Sequence, residues 1–343
     1  VKVSFIIPLY NCLPLTQAML ASLRATLPAG LAHEIIFVDD GSTDGTREWL
    51  KTVGSALVAG PSSTKNPGLP ASGSPTIRAI LNEKNLGFAG ACNRGAATAS
   101  GELLFFLNND LVLLPHWLEP MLAAFDRFPD TGLVGNVQLN FATGAVDHAG
   151  IYFNYQGKPA HRTDRPATTR WLGVPAYRAV DALTGACFGL RRAVWTQLGG
   201  LDEGFVNGAE DIDLALRASS AGLRHYVALR SVVRHHISSS AGRKLRDEQN
   251  TYRLVQRWAP TIAVLAAKDW SRQQVVTHAD QSGVFDYHQV QAALLHLLVL
   301  ASPPPAVRAG VAASMAHELR RWRELLEGAA PPPPPPSGRT DQI

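Results

Sequence analysis

The chain has 343 residues, of which 46% are apolar and 17% charged, and its formal net charge is +4. So apolar a composition excludes an intrinsically disordered protein, and the length suffices for one large domain or two smaller ones. The mild positive balance does not call for nucleic acid as a partner, although an anionic ligand would suit it.

Residues 3–7 are a short β-branched and aromatic run ending at Pro8, which predicts a buried strand. Leu15, Met19, Leu23 and Leu27 follow at four-residue spacing and predict a helix with one apolar stripe. Residues 35–38 predict a second strand, stopped by the polar run from Asp39 to Gly45, and 46–53 predict the next helix. Further strands are expected at 77–81, 103–107 and 132–137, with an alanine-rich helix at 89–100. Continuous apolar strands alternating with helices imply βαβ units, hence an α/β fold with a mostly parallel sheet covered on both faces. Ligands of such sheets lie beyond the carboxyl ends of the strands.

Residues 54–75, rich in Gly, Pro, Ser and Ala, read as a disordered surface insertion. Helical patterns take over at 251–258, 286–301 and 306–326, the last two separated by three prolines, Pro303 to Pro305. The expected division is a sheet domain at 1–240, a helical extension at 241–330 and a proline-rich linker at 331–343. Its six consecutive prolines make a stiff polyproline spacer. With Val1 opening directly into a strand pattern, the chain reads as a segment of a longer polypeptide with further domains. No apolar run reaches the ~18 residues of a membrane-spanning helix. Cys12, Cys92 and Cys187 read as buried free thiols of a reducing compartment.

Five polar clusters stand at the ends of these elements. Asp39 and Asp40 follow a buried strand; Asp44 suits an N-cap for the next helix, whereas two acids at the strand end could accept hydrogen bonds from a nucleobase or ribose. In the segment NLGFAGACNRG, Gly87 and Gly90 allow close backbone approach, and a helix start there offers N–H groups to a phosphate or sugar; tight packing of small residues on the sheet explains it equally well. Asn108, Asn109 and Asp110 release the strand LLFFL into oxygen ligands suited to Mg²⁺ or Mn²⁺, or into an Asx-turn. Glu210, Asp211 and Asp213 open a helix; they complement its dipole, and an ionised carboxylate among them could take a proton from a hydroxyl. His235 and His236 end a strand before the basic residues Arg243, Lys244 and Arg246. Adjacent strand residues point to opposite faces, so one histidine at most is expected as a metal ligand.

The ordered set SFIIPLYN, FVDDGSTDGT, NEKNLGFAGACNRG, LLFFLNND, GAEDIDLALR and VVRHH resembles the family 2 glycosyltransferases of the GT-A fold, nearest their rhamnosyltransferase-like branch. The resemblance covers roughly residues 1–240. It implies that Pro8, Tyr10, Asn11, Asp39 and Asp40 line a nucleotide pocket, with Asn85, Gly87 and Asn93 near the donor's ribose and phosphates. It places Asn108, Asn109 and Asp110 at the metal-binding Asp-x-Asp motif, with Asn108 in place of the first acid. Asp211, beside Glu210, matches the catalytic base, and His235 or His236 the histidine that completes the metal site. The implied activity is inverting transfer of a sugar from a nucleotide-diphosphate donor to a glycan or lipid-linked acceptor, in surface polysaccharide assembly. The implied setting is the cytoplasm, with peripheral contact at the inner face of the membrane. A non-catalytic sugar-nucleotide-binding module and a nucleotidyltransferase are the alternatives. The first would not need Asp211, and the second would want a glycine-rich, lysine-bearing loop after Pro8, which the sequence lacks.

Overall fold

The computed structural model describes residues 1–53, 56–58, 76–164, 176–236, 243–280, 287–300 and 302–327. The elements in chain order are β1 (Val3–Leu9), α1 (Leu13–Thr26), β2 (His33–Asp39), α2 (Thr46–Val53), β3 (Ala56–Val58), β4 (Thr76–Leu81), α3 (Gly87–Thr98), β5 (Leu103–Leu107), β6 (Leu111–Leu113) and α4 (Glu119–Arg127). There follow β7 (Thr131–Asn140), β8 (Val146–His148), β9 (Ile151–Phe153), β10 (Pro159–His161), β11 (Tyr177–Val180), β12 (Cys187–Arg191), α5 (Arg192–Leu198), α6 (Glu210–Ser220) and β13 (Arg224–His235). The last three are α7 (Arg243–Asp280), α8 (Tyr287–Leu298) and α9 (Pro305–Glu327).

The main sheet has the order β11-β13-β7-β12-β5-β1-β2-β4-β3, with β6 on β13 and β8 on β7. Strands β5, β1, β2, β4 and β3 are mutually parallel, with α1 crossing from β1 to β2, α2 from β2 to β3 and α3 from β4 to β5. The return strand β12 is antiparallel to both β5 and β7. The fold is therefore α/β with a mostly parallel sheet, as expected. One face packs Phe5, Phe37 and Phe105 against Met19, Leu23, Trp117 and Met121 from the helical layer. On the other face Ile36, Val38 and Ile80 meet Ala91 of α3. The small residues of α3 are there for contact: a Cβ on Gly95 would lie 2.5 Å from Ile6 Cγ2.

Several expectations shift. Residues 56–58 form β3 at the sheet edge, so that part of the expected insertion is ordered structure; the rest of 54–75 lies outside the described residues, as does the linker at 331–343. The chain divides into two compact units, one of Val1–Asn154 with Lys158–Leu254, the other of Tyr155–Gly157 with the chain from Val255 onward. The boundary expected at residue 240 thus falls at Leu254, and the first turns of α7 belong with the sheet. That helix continues to Asp280, and Pro260, whose ring cannot accommodate a regular preceding turn, leaves a kink at Trp258. All three cysteines are free, but Cys12, in a left-handed turn before α1, is exposed. Burial pushes the Cys187 thiol up to about 12. In the second unit, Trp270 lies against Gly310, and His296 Nδ1 is 2.9 Å from Ser271 Oγ. Among the described residues no helix is long and apolar enough to cross a membrane.

Candidate active site

The carboxyl ends of β1, β2, β4 and β5 and the start of β12 open into a cleft of about 410 Å³. It is lined by Pro8, Tyr10, Asp40, Asn85, Gly87, Asn108, Asn109, Asp110, Glu210, Asp211 and His235, together with residues from the loops that face them. The strand ends bring these residues together from most of the length of the first unit, so the clusters read separately from the sequence form one site.

Four of the expected residues do not line it. Asp39 is fully buried, and its Oδ2 accepts from Arg47 Nε at 2.7 Å, while a second Arg47 nitrogen donates to the Asn82 carbonyl. Asn11, in a left-handed turn, uses its Oδ1 to hold the Thr43 N–H at 2.8 Å. Asn93 bonds both backbone groups of Leu201 at 2.9 Å and so fixes the chain after α5. His236 stacks on Phe141 with ring centres 3.7 Å apart, pointing away from His235 as strand alternation demands.

Asp40 does reach the cleft, but as an organiser. Its Oδ1 accepts from Asn82 Nδ2 at 2.7 Å and from Leu86 N–H at 2.8 Å, and its Oδ2 accepts from Gly87 N–H at 2.9 Å. Asn207 Oδ1 takes the Phe88 N–H at 2.9 Å. The N–H groups of residues 86–88 are therefore already partnered, which corrects the expectation that the start of α3 offers them to a phosphate. Asp44 fulfils the capping expectation, accepting from Thr46 N–H at 3.2 Å and Thr46 Oγ1 at 2.6 Å. Tyr10 is 55% exposed at the end of β1, leaving an aromatic face open at the cleft.

At the other side of the strand ends, His235 Nε2 stands 3.3 Å from Asp110 Oδ1. Asp110 Oδ1 and His235 Nδ1 are both buried and make no hydrogen bond. A carboxylate and an imidazole at that separation match two adjacent ligands of a six-coordinate cation with bonds of about 2.1–2.3 Å. No group of three His, Cys, Asp or Glu side chains is assembled among the described residues. The remaining positions of such a cation would therefore go to water and ligand oxygens.

The Glu-Asp pair starts α6 after a loop with two non-glycine residues in the left-handed region, Asn207 (φ 51°) and Ala209 (φ 71°). Glu210 is buried and its Oε2 accepts from Gly208 N–H at 2.6 Å. Burial first, and then the charge of Asp211, push its carboxyl up to about 7. Asp211 accepts from Gly185 N–H and, at 2.8 Å, from Ile212 N–H. Burial raises its carboxyl above the usual range even though these bonds and His161 pull the other way. Desolvation thus offsets the lowering that a helix start imposes, and Asp211 is the more basic for it. Asp213, the third acid of the turn, is committed to Arg217 at 2.8 Å. Asn207 and Asp247 are cleft residues that the sequence reading did not single out; the Asn207-Gly208 turn signal could have pointed to the first.

The sheet thus carries a polar cleft across its strand ends, with a carboxylate–histidine pair on one side and a desolvated Glu-Asp pair on the other. The sequence profile of glycosyl transferase family 2 matches residues 4–194, and the chain belongs to that family. It is 39% identical over 153 residues to the O-antigen biosynthesis protein RfbC of Myxococcus xanthus, covering 43% of this chain and 12% of that protein's length. It is 26% identical over 262 residues to the N-acetylglucosaminyl-diphospho-decaprenol L-rhamnosyltransferase of Mycobacterium tuberculosis, covering 68% of this chain and 76% of that one. The fold is similar to that of GalNAc-T7 solved with UDP, GalNAc and Mn²⁺. The TM-score is 0.58 at 16% identity, over 85% of this chain and 53% of that one.

Proposed function

We propose that this chain is an inverting glycosyltransferase that moves a sugar from a nucleotide-diphosphate donor to a hydroxyl of a glycan or lipid-linked acceptor in surface polysaccharide assembly. The observation that carries the reading is the placement, in one cleft, of a desolvated Asp211 and the Asp110–His235 pair. Tyr10 offers its face to the nucleobase, and Asn85 and Asn108 present amides to the donor. Asp110 and His235 would hold Mg²⁺ or Mn²⁺, which when bound supplies positive charge opposite the departing diphosphate. Asp211 accepts the proton of the acceptor hydroxyl as its oxygen bonds to the anomeric carbon. The bond from that carbon to the diphosphate oxygen breaks, its electron pair leaves with the nucleoside diphosphate, and the configuration inverts in the single displacement. Glu210, kept partly protonated at neutral pH by its burial and by the charge of Asp211, limits the negative charge beside that base.

The names of the relatives point the same way, since RfbC is an O-antigen biosynthesis protein and the mycobacterial relative an L-rhamnosyltransferase. The test is a thermal-shift panel of UDP-, dTDP- and GDP-sugars with Mn²⁺, followed by product analysis. A donor that binds the folded state raises its melting temperature, and turnover should release a nucleoside diphosphate. Formation of a nucleoside triphosphate and a sugar 1-phosphate when pyrophosphate is added would identify a nucleotidyltransferase instead, and a panel without any shift would contradict donor binding.

A further inference from the structure

The loop that delivers the Glu-Asp pair is held from outside. Residues 202–209 carry the two left-handed non-glycine positions, and such backbone persists only where its surroundings over-determine it. Those surroundings are the first turns of α7. Asn250, 6% exposed, accepts the Val206 N–H on its Oδ1 at 3.2 Å and returns Nδ2 to the Val206 carbonyl at 2.9 Å, so that one side chain satisfies both backbone groups of one residue. One turn on, Arg253 donates to the Gly204 carbonyl at 2.6 Å and to Asp202 Oδ2 at 3.1 Å, and its guanidinium lies over the Phe205 ring at 4.8 Å. Gly208, whose N–H holds Glu210, has no room to drift: a Cβ there would meet Asn250 Nδ2 at 3.2 Å. Val206, Asn207, Gly208, Arg246 and Asp247 all line the cleft.

We propose that Asn250 and Arg253 are positioning residues for the Glu-Asp pair, clamping the 202–209 loop so that Asp211 meets the acceptor hydroxyl in register with the donor. This rests on the reading of Asp211 as the base. Neither Asn250 nor Arg253 lines the cleft, so the clamp acts on transfer and not on donor binding. The charged and titratable groups that bear on the pair include Asp247 from α7, which helps raise Glu210, His161 from β10, which lowers Asp211, Cys92 of α3, which burial and then the charge of Glu210 push up, and Arg246 in the same cleft. Loosening the loop therefore also alters how the pair titrates.

The experiment compares Asn250→Ala, Arg253→Ala and Arg253→Lys in the full chain. It measures UDP binding with Mn²⁺, nucleoside-diphosphate release from a turned-over sugar donor across pH, and hydrogen exchange in the 202–210 peptide. The two alanine variants are expected to lose about 10- to 100-fold in kcat, the scale of a small misplacement of a reacting group. They should keep the UDP affinity of the unmodified chain, move the acid limb of the pH profile, and exchange faster at 202–210 than in the sheet. Arg253→Lys, which can still donate to the Gly204 carbonyl, should recover most of the rate. Unchanged kcat in both alanine variants overturns the proposal. So does a parallel fall in kcat, UDP affinity and melting temperature, because that marks general destabilisation. Asp211→Asn run alongside separates the two readings: if it turns over normally the base assignment fails, whereas if it is inactive while Asn250→Ala and Arg253→Ala are normal, only the clamp fails.

Discussion

Glu210→Gln gives a stability change whose size and pH dependence follow from the structure. Glu210 is 4% exposed, and its carboxyl is pushed from 4.5 up to about 7 by burial and by Asp211. Between those two values the folded protein binds a proton there that the unfolded chain has lost. Stability therefore falls as the pH rises from about 4.5 to about 7, and stays low above it. At about 1.4 kcal/mol per tenfold change, carrying the ionised group in the fold costs about 3 kcal/mol at pH 8 and about 1 kcal/mol or less at pH 5. Glutamine keeps a carbonyl oxygen for the Gly208 N–H and cannot ionise. The variant should therefore be more stable than the unmodified chain by about 2–3 kcal/mol at pH 8, with most of that gain gone at pH 5. Urea unfolding at the two pH values, followed by tryptophan fluorescence, measures the difference. A gain that is the same at both pH values, or a variant less stable at pH 8, would refute the reasoning.

Two other substitutions probe separate parts of the account. Asp110→Ala and His235→Ala should each weaken Mn²⁺-dependent UDP binding at least about tenfold, or about 1.4 kcal/mol, and leave UDP binding in EDTA unchanged; equal titrations with and without EDTA in the unmodified chain would remove the cation from the site. Gly95→Ala sets a methyl 2.5 Å from Ile6 Cγ2 and 3.0 Å from Val38 Cγ2, so α3 must lift from the sheet. A loss of about 1–3 kcal/mol in the urea midpoint is expected, and an unchanged midpoint would contradict the packing.

The parallel strands β1, β2, β4 and β5 were legible because they are continuous apolar runs, as LLFFL at Leu103–Leu107 illustrates, whereas the three-residue β3 was lost in the expected insertion. Strands β8 to β11 were not, since segments of three or four residues such as Val146–His148 are too short to show a period. The positions of the polar clusters were equally plain: an apolar strand released into Asp40 or Asn108 can only end at a sheet edge. What each side chain does there was not plain, because Asp39 and Asp40 have the same chemistry and adjacent numbers. Strand alternation turns one into the Arg47 pair and the other into the organiser of the 82–87 loop. The same alternation sends His235 to Asp110 and His236 to Phe141, a choice the sequence reading had left open between them. The contribution of α7 left no pattern to read. Asn250 and Arg253 are ordinary residues on a polar helix, and only their meeting with Val206 and Gly204 gives them a role.

The central claim is that Asp211 takes the acceptor proton in a cleft that binds a nucleotide-diphosphate sugar. The measurement that tests it most directly is nucleoside-diphosphate release by Asp211→Asn beside the unmodified chain, with UDP binding in Mn²⁺ recorded on the same samples. The account predicts a loss of turnover of at least about 100-fold, the worth of a positioned general base, with UDP affinity retained. An asparagine variant that turns over at the rate of the unmodified chain would contradict it.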